Sequence, residues 1–260
     1  MPEGDTVFRT ARHLDLALSG RVLLESDFRV PALAEVDLSA RTVLETAARG
    51  KHLLTRLDGS SPLTLHTHLK MEGAWHLYRD GSRWRRSAHQ ARVVLRTDEW
   101  TAVGFSLGVV EVIDTAAEST VVGHLGPDLL GPDWDAAEAV RRLSGDPDQP
   151  VGEALLDQRN LAGIGNMYKS ELCFLIGVDP WSPVHEVTDL AKLVDRARRL
   201  LEANKTRPAQ TTTGDTRRGQ QLWVYRRDKE SCRRCGTRIR VAMQAQDRAT
   251  YWCPQCQPAR

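Results

Sequence analysis

Four cysteines constrain this chain more than any other feature. They fall as Cys232-x2-Cys235 and Cys253-x2-Cys256, with seventeen residues between the pairs, all within the last thirty positions. A Cys-x2-Cys knuckle turns two sulfurs toward one point, and two knuckles at this separation suit a single tetrahedral zinc ion. Four thiolates leave no coordination position open, so such a zinc would fold the segment and carry out no chemistry. A disulfide framework fits poorly, because the cysteine count is five and four of them are crowded at one end. A redox role for either pair is the remaining alternative. Residues 237–241 and 250–252 between the pairs are β-rich, which predicts a two-stranded hairpin held by the metal. The fifth cysteine, Cys173 in LCFLIG, reads as a core thiol.

The net charge of +2 conceals a strong asymmetry. Residues 190–260 hold 17 lysines and arginines against 6 acids, whereas residues 1–189 hold 19 against 28. The cysteine-bearing end is therefore +11 and the remainder −9. Arg233, Arg234, Arg238, Arg240 and Arg248 surround the hairpin, and guanidinium groups match phosphate geometry. As a group they point to nucleic acid; singly, each is an ordinary solvated charge. No apolar stretch is long enough for a bilayer, and MPEGDTVFRT has acid where a signal peptide needs basic residues. The expectation is a soluble, cytosolic protein with no membrane partner and no small-molecule cofactor, acting as a monomer.

At 260 residues the chain has room for two domains. Asp5 as a cap, Val7, Ala11, Leu14 and Leu18 at helical spacing, and Gly20 as a stop predict a first helix. Short alternating runs at 41–44, 52–57, 63–67, 91–96 and 109–113, with turns at 58–60 and 80–82, predict an antiparallel sandwich after it. The Gly-, Pro- and Asp-dense segments GHLGPDLLGPDWD and SGDPDQP mark a boundary, with a short helix at 136–143 between them. Helical patterns follow at 151–157, 166–176 and 190–204. The reading is α+β and multidomain: a helix and β-sandwich over 1–122, a linker over 123–135, a helical domain over 136–216 and a zinc finger over 217–260.

Two further features concern chemistry. Removal of Met1 would expose Pro2 as a secondary amine, and an α-amino group titrates near neutrality, at about 7.7 to 8.0, so it can act as a nucleophile beside Glu3 as a proton shuttle; a Met-Pro-Glu start with no chemical role is the plain alternative. In LDQRNLAGIGNMYKSELCF, a helix stops, glycines 163 and 165 make a double turn, and a second helix starts at Asn166. Backbone amides at such a start bind anions, although a plain helix-turn-helix packing unit has the same pattern. His66 and His68, two apart on one strand, face the same side; strand packing or phosphate contact is the favoured reading over a second metal site.

Taken together, MPEG, RGKHLL, LAGIGNMYKSE, LWVYRRDKESCRRCG and ATYWCPQCQ resemble, in order along the chain, the formamidopyrimidine-DNA glycosylase and endonuclease VIII family of base-excision repair enzymes. The resemblance implies an N-terminal β-sandwich with helix, a hinge, and a C-terminal domain with a helix-two-turn-helix and a zinc finger. It implies that Pro2 attacks C1′ of a damaged nucleotide and forms a Schiff base that permits β- and δ-elimination, with Glu3 moving protons. It places Lys51, Asn166 and Arg248 on backbone phosphates and Met71 of HLKMEG as the wedge that fills the gap left by the flipped base. The loop 104–108 reads Gly-Phe-Ser-Leu-Gly and lacks the arginine of the Arg-x-Phe pair found in purine-excising members, which favours the endonuclease VIII branch and oxidised pyrimidines. Thr6 stands where many relatives have a second glutamate. Residues 211–221 take the place of the family's lesion-covering loop. A non-catalytic DNA-binding member of the same family is the alternative.

Overall fold

The computed structural model describes residues 2–79 and 81–259, with only the backbone at Gln246. Asp80, part of the turn expected at 80–82, lies outside them. Contacts divide the chain into two units, residues 1–124 and 125–260.

In the first unit, α1 (Gly4–Leu18) buries Val7, Ala11, Leu14 and Leu18 on one face. It starts two residues earlier than the sequence suggests: Glu3 occupies the cap position without a side-chain capping bond, and Asp5 is buried inside the first turn. A carboxylate there still faces the positive end of the helix dipole. Gly20, at φ +76°, ends the helix and donates its amide to Val43 O at 2.8 Å. Asp15 accepts the Thr46 amide at 2.8 Å. The helix therefore runs antiparallel to β2 (Val43–Arg49), with its N-terminus at the end of that strand.

The strands form two four-stranded antiparallel sheets. One has β1 (Glu25–Phe28), β6 (Ala91–Arg96), β7 (Trp100–Phe105) and β5 (Ala74–Arg79) in that order. The other runs β2, β3 (His52–Leu57), β4 (Leu63–His68) and β8 (Val109–Asp114). Phe28, Val93, Leu95 and Ala102 from the first sheet share one buried core with Leu53, Leu57 and Leu65 from the second and with α1, which makes the unit a sandwich. A short helix, α2 (Ser119–Val122), follows β8, and Glu118 before it takes a two-pronged bond from Arg56.

The second unit is helical and ends in the cysteine hairpin. Asp135 and Asp189 cap α3 (Ala136–Leu143) and α6 (Leu190–Asn204) by accepting the Glu138 and Lys192 amides. Between them lie α4 (Val151–Leu156) and α5 (Asn166–Ile176), joined by the double turn. Every side chain of α5 from Asn166 to Phe174 is buried. That explains why α5 shows no clean polar face in sequence: it is the centre of the unit, packed among Leu129, Leu143, Leu155, Leu193 and Leu201. Gly177, at φ +73°, ends it. The hairpin is β9 (Arg240–Gln244), three residues later than expected, and β10 (Arg248–Trp252), which starts two residues earlier than expected. No helix among the described residues is long and apolar enough to cross a membrane.

Candidate nucleic-acid interface and metal centre

One end of the β2–β3–β4–β8 sheet gathers most of the residues singled out in the first unit. Arg49 pairs with His52, so Gly50 and Lys51 form a two-residue hairpin turn, and Gly50 at φ +57° supplies the left-handed backbone it needs. The antiparallel run of α1 against β2 brings Glu3 to this same end. Glu3 is fully buried and Pro2 half-buried. β4 leaves the sheet here at His68 and turns sharply, with Lys70 at φ +51°, to expose Met71 to 56%. Gly73 closes that turn onto Leu69 O at 2.9 Å, and a Cβ at Gly73 would lie 2.4 Å from the same carbonyl, so only glycine fits. The loop between β7 and β8 lies alongside: Gly108 donates to His68 O at 3.0 Å, and its missing Cβ makes room for the Lys70 side chain.

His66 and His68 do share a face, as expected, and both meet the ring of His52. No sequence pattern marks His52 or Glu111, although His52 immediately follows Lys51. His52 Nδ1 lies 2.8 Å from His66 Nε2, and His66 Nδ1 lies 2.9 Å from Glu111 Oε2. Burial, reinforced by neighbouring imidazoles and Lys70, pushes the His52 pKa down to about 3; burial, with Lys70 and Lys51, pushes His68 down to about 4. Both are neutral at physiological pH.

In the second unit, α5 begins at Asn166, whose Nδ2 donates to Ala249 O at 2.7 Å on β10. Arg248, the preceding residue, is exposed. Two residues named for one role, far apart in sequence, are thus brought together. Asn166 Oδ1 is buried without a hydrogen-bond partner. Buried Lys169 continues the seam, donating from Nζ to Thr250 Oγ1 at 2.5 Å and Gln244 Oε1 at 3.3 Å. Glu171, fully buried, accepts the Trp223, Val224 and Tyr225 amides at 2.8 Å each and the Thr212 hydroxyl. Burial pushes its pKa up, and these four donors oppose that shift.

The 211–221 segment is closed by its own hydrogen bonds. Thr212 donates to Gln221 O at 2.8 Å, and Thr211 Oγ1 reaches Asp215 O and Gln221 O. Arg233 closes the base of this loop by donating to Leu222 O, Gly219 O and Gln220, so it is committed locally. Arg234 stacks its guanidinium 4.4 Å from the Phe174 ring centroid. These two arginines of the basic group therefore support the hairpin's surroundings.

Cys232, Cys235, Cys253 and Cys256 bring their sulfurs within 4.8 Å of one another. Cys232 to Cys256 is 3.9 Å and Cys235 to Cys253 is 3.4 Å. Sulfurs at the corners of a zinc tetrahedron with arms of about 2.3 Å are about 3.8 Å apart, so the donor set fits one such ion. Among the described residues no other group of histidines, cysteines and acids converges in this way. Gln257 braces the second knuckle, accepting the Cys253 amide at 3.0 Å and donating to Val178 O at 2.9 Å. Cys173 is buried, and burial pushes its thiol up to about 12, as a core thiol should be.

A sandwich with a helix at its edge, a helical unit built on a double turn and a four-cysteine hairpin together define a DNA-repair glycosylase architecture. Residues 1–106 match the formamidopyrimidine-DNA glycosylase N-terminal domain and residues 125–213 the formamidopyrimidine-DNA glycosylase H2TH domain. The chain belongs to the formamidopyrimidine-DNA glycosylase and endonuclease VIII family, on its endonuclease VIII-like side. It is 57% identical over 99% of its length to a Streptomyces coelicolor protein described as probable endonuclease 8 2, covering 94% of that protein. It is 50% identical, over the whole of both chains, to the Mycolicibacterium smegmatis DNA-(apurinic or apyrimidinic site) lyase Nei2. Among solved structures, Lactococcus lactis Fpg in complex with abasic-site DNA superposes with a TM-score of 0.83 at 22% identity, over 99% of this chain and all of that one.

Proposed function

We propose that this protein is a bifunctional DNA glycosylase and abasic-site lyase that removes oxidised bases, pyrimidines above all, from DNA. The observation that carries the reading is the placement of Pro2 and the buried Glu3 carboxyl at the sheet end that also presents Lys51 and Met71. With Met1 removed, the Pro2 nitrogen attacks C1′ and the base departs with the electrons of the glycosidic bond. Glu3 delivers a proton to the sugar oxygen, which opens the ring to a Schiff base. Loss of the C2′ proton then expels the 3′ phosphate, and a second elimination expels the 5′ phosphate. Relatives described as endonuclease 8 and as an abasic-site lyase support this assignment.

Lys51 in the first unit and Asn166 with Arg248 in the second bind phosphates of the damaged strand, and Met71 fills the space of the extruded base. A loop at 104–108 without arginine supports the preference for pyrimidines. The division of labour follows 1–122 for chemistry, 123–135 as hinge, 136–216 for the helix-two-turn-helix and 217–260 for the zinc finger. Zinc on the four cysteines is structural: its bonding holds the hairpin, and the side chains of the hairpin hold DNA. The protein acts as a monomer in the bacterial cytosol. The test is product analysis on duplexes with an oxidised pyrimidine: strand breaks bearing phosphate at both ends support β,δ-elimination, and intact strands with tight binding support a non-catalytic member.

A further inference from the structure

A hydrogen-bonded chain crosses three strands beside Lys51. Glu111 on β8 faces His66 on β4 in register, and His66 bonds diagonally to His52 on β3, the residue after Lys51. A carboxylate only accepts, so His66 carries its proton on Nδ1 and, when neutral, accepts at Nε2. His52 then carries its proton on Nδ1 and leaves Nε2 as a lone pair. Among the described residues Nε2 has no hydrogen bond. Side-chain polarity therefore runs one way, from Nε2 of His52 to a half-exposed acid at the far end.

The groups around this chain come from every neighbouring element. Lys51 and Lys70 flank it from the two turns, His68 pairs with His52 across β3 and β4, and His124 stands 6.3 Å from the His52 ring centroid. Glu118, held by Arg56, also feels His66. Cations surround the His52 and His68 side, and the acids lie beyond His66.

We propose that Glu111, His66 and His52 form a proton relay that couples binding of a DNA phosphate at the Lys51 turn to uptake of one proton. The proposal rests on the reading of Lys51 as a phosphate contact. A proton from water adds to His52 Nε2, and His52 passes its Nδ1 proton to His66 Nε2. His66, now protonated on both nitrogens, pairs with the Glu111 carboxylate. One proton enters and none leaves. His52 ends neutral with its hydrogen on Nε2, so a lone pair, which repels an anion, becomes a donor, which attracts one. Lys51 and Lys70 stand in the two turns at this end of the chain of bonds, and a phosphate bound there offsets their charge.

The test is calorimetric titration of the full zinc-loaded protein with a duplex carrying an uncleavable abasic-site analogue, in two buffers of different ionisation enthalpy. The wild type is expected to take up close to one proton and to bind several-fold more tightly as pH falls from about 8 to about 6. Glu111→Gln, at a half-exposed position that tolerates the change, keeps the affinity at about pH 8 within roughly twofold and loses most of the uptake. His66→Gln behaves in the same way if its far-UV spectrum is native. Wild-type uptake in Glu111→Gln, or none in the wild type, overturns the relay alone. Unchanged affinity in Lys51→Gln at both pH values overturns the phosphate reading, and the relay with it.

Discussion

The Nδ2 amide of Asn166, the first residue of α5, donates to Ala249 O on β10 at 2.7 Å. Through this bond the double turn and the cysteine hairpin present one surface, with Arg248 beside it. Asn166→Ala removes the donor and strands a carbonyl, but it also removes the unpartnered Oδ1. The expected stability loss is therefore modest, about 1 kcal/mol. The expected loss in affinity for abasic DNA is larger, roughly tenfold or more. Thermal melting and fluorescence anisotropy on the same variant check the split.

Glu171 takes donors on both oxygens from three consecutive amides and a threonine hydroxyl. Glu171→Gln places an NH2 group against an N–H donor in a fully buried site. A loss of about 3 kcal/mol is expected in urea unfolding, with the 222–225 segment becoming protease-sensitive.

The zinc reading predicts one metal per chain by elemental analysis. Chelation, or Cys253→Ser, removes the bonds that hold β9 to β10 in place. DNA binding is then lost, while the first unit, with its own core, keeps its β signature in circular dichroism.

Acid sensitivity follows from the imidazole cluster. His52 and His68 titrate at about 3 and about 4 in the folded chain, against 6.5 for an ordinary histidine. Between those limits the unfolded chain binds more protons than the folded one, so stability falls as pH falls. It is complete above about pH 6.5, and the loss approaching pH 4 is on the order of 2 kcal/mol after allowance for partial exposure. Urea midpoints across this range, with His52→Gln as comparison, measure it.

How far the sequence carries differs by element. The ranges of α3, α5 and α6 are legible to the residue because caps, glycines and apolar spacing agree there. β1, β5 and β7 are not, since the mixed ESDF, AWHLYR and WTAVGF segments lack a strong alternation and owe their strand character to neighbours in the sheet. The four cysteines announce their cluster by spacing alone. The Asn166 to Ala249 bond and the Glu111–His66–His52 chain join residues 83, 45 and 14 apart, and no local pattern encodes such pairings. The histidine pair at 66 and 68 was a signal, but its partner acid on β8 could be found only from the register.

The central claim is covalent chemistry at Pro2, and borohydride trapping on a duplex with an abasic site tests it most directly. Protein with a native N-terminus should give a stable protein–DNA adduct that is absent in Pro2→Ala, while Glu3→Gln forms it only on the preformed abasic site and not on an intact damaged base. Failure of the wild type to trap, with zinc content and DNA affinity intact, would contradict the account and leave a protein that binds damaged DNA without cutting it.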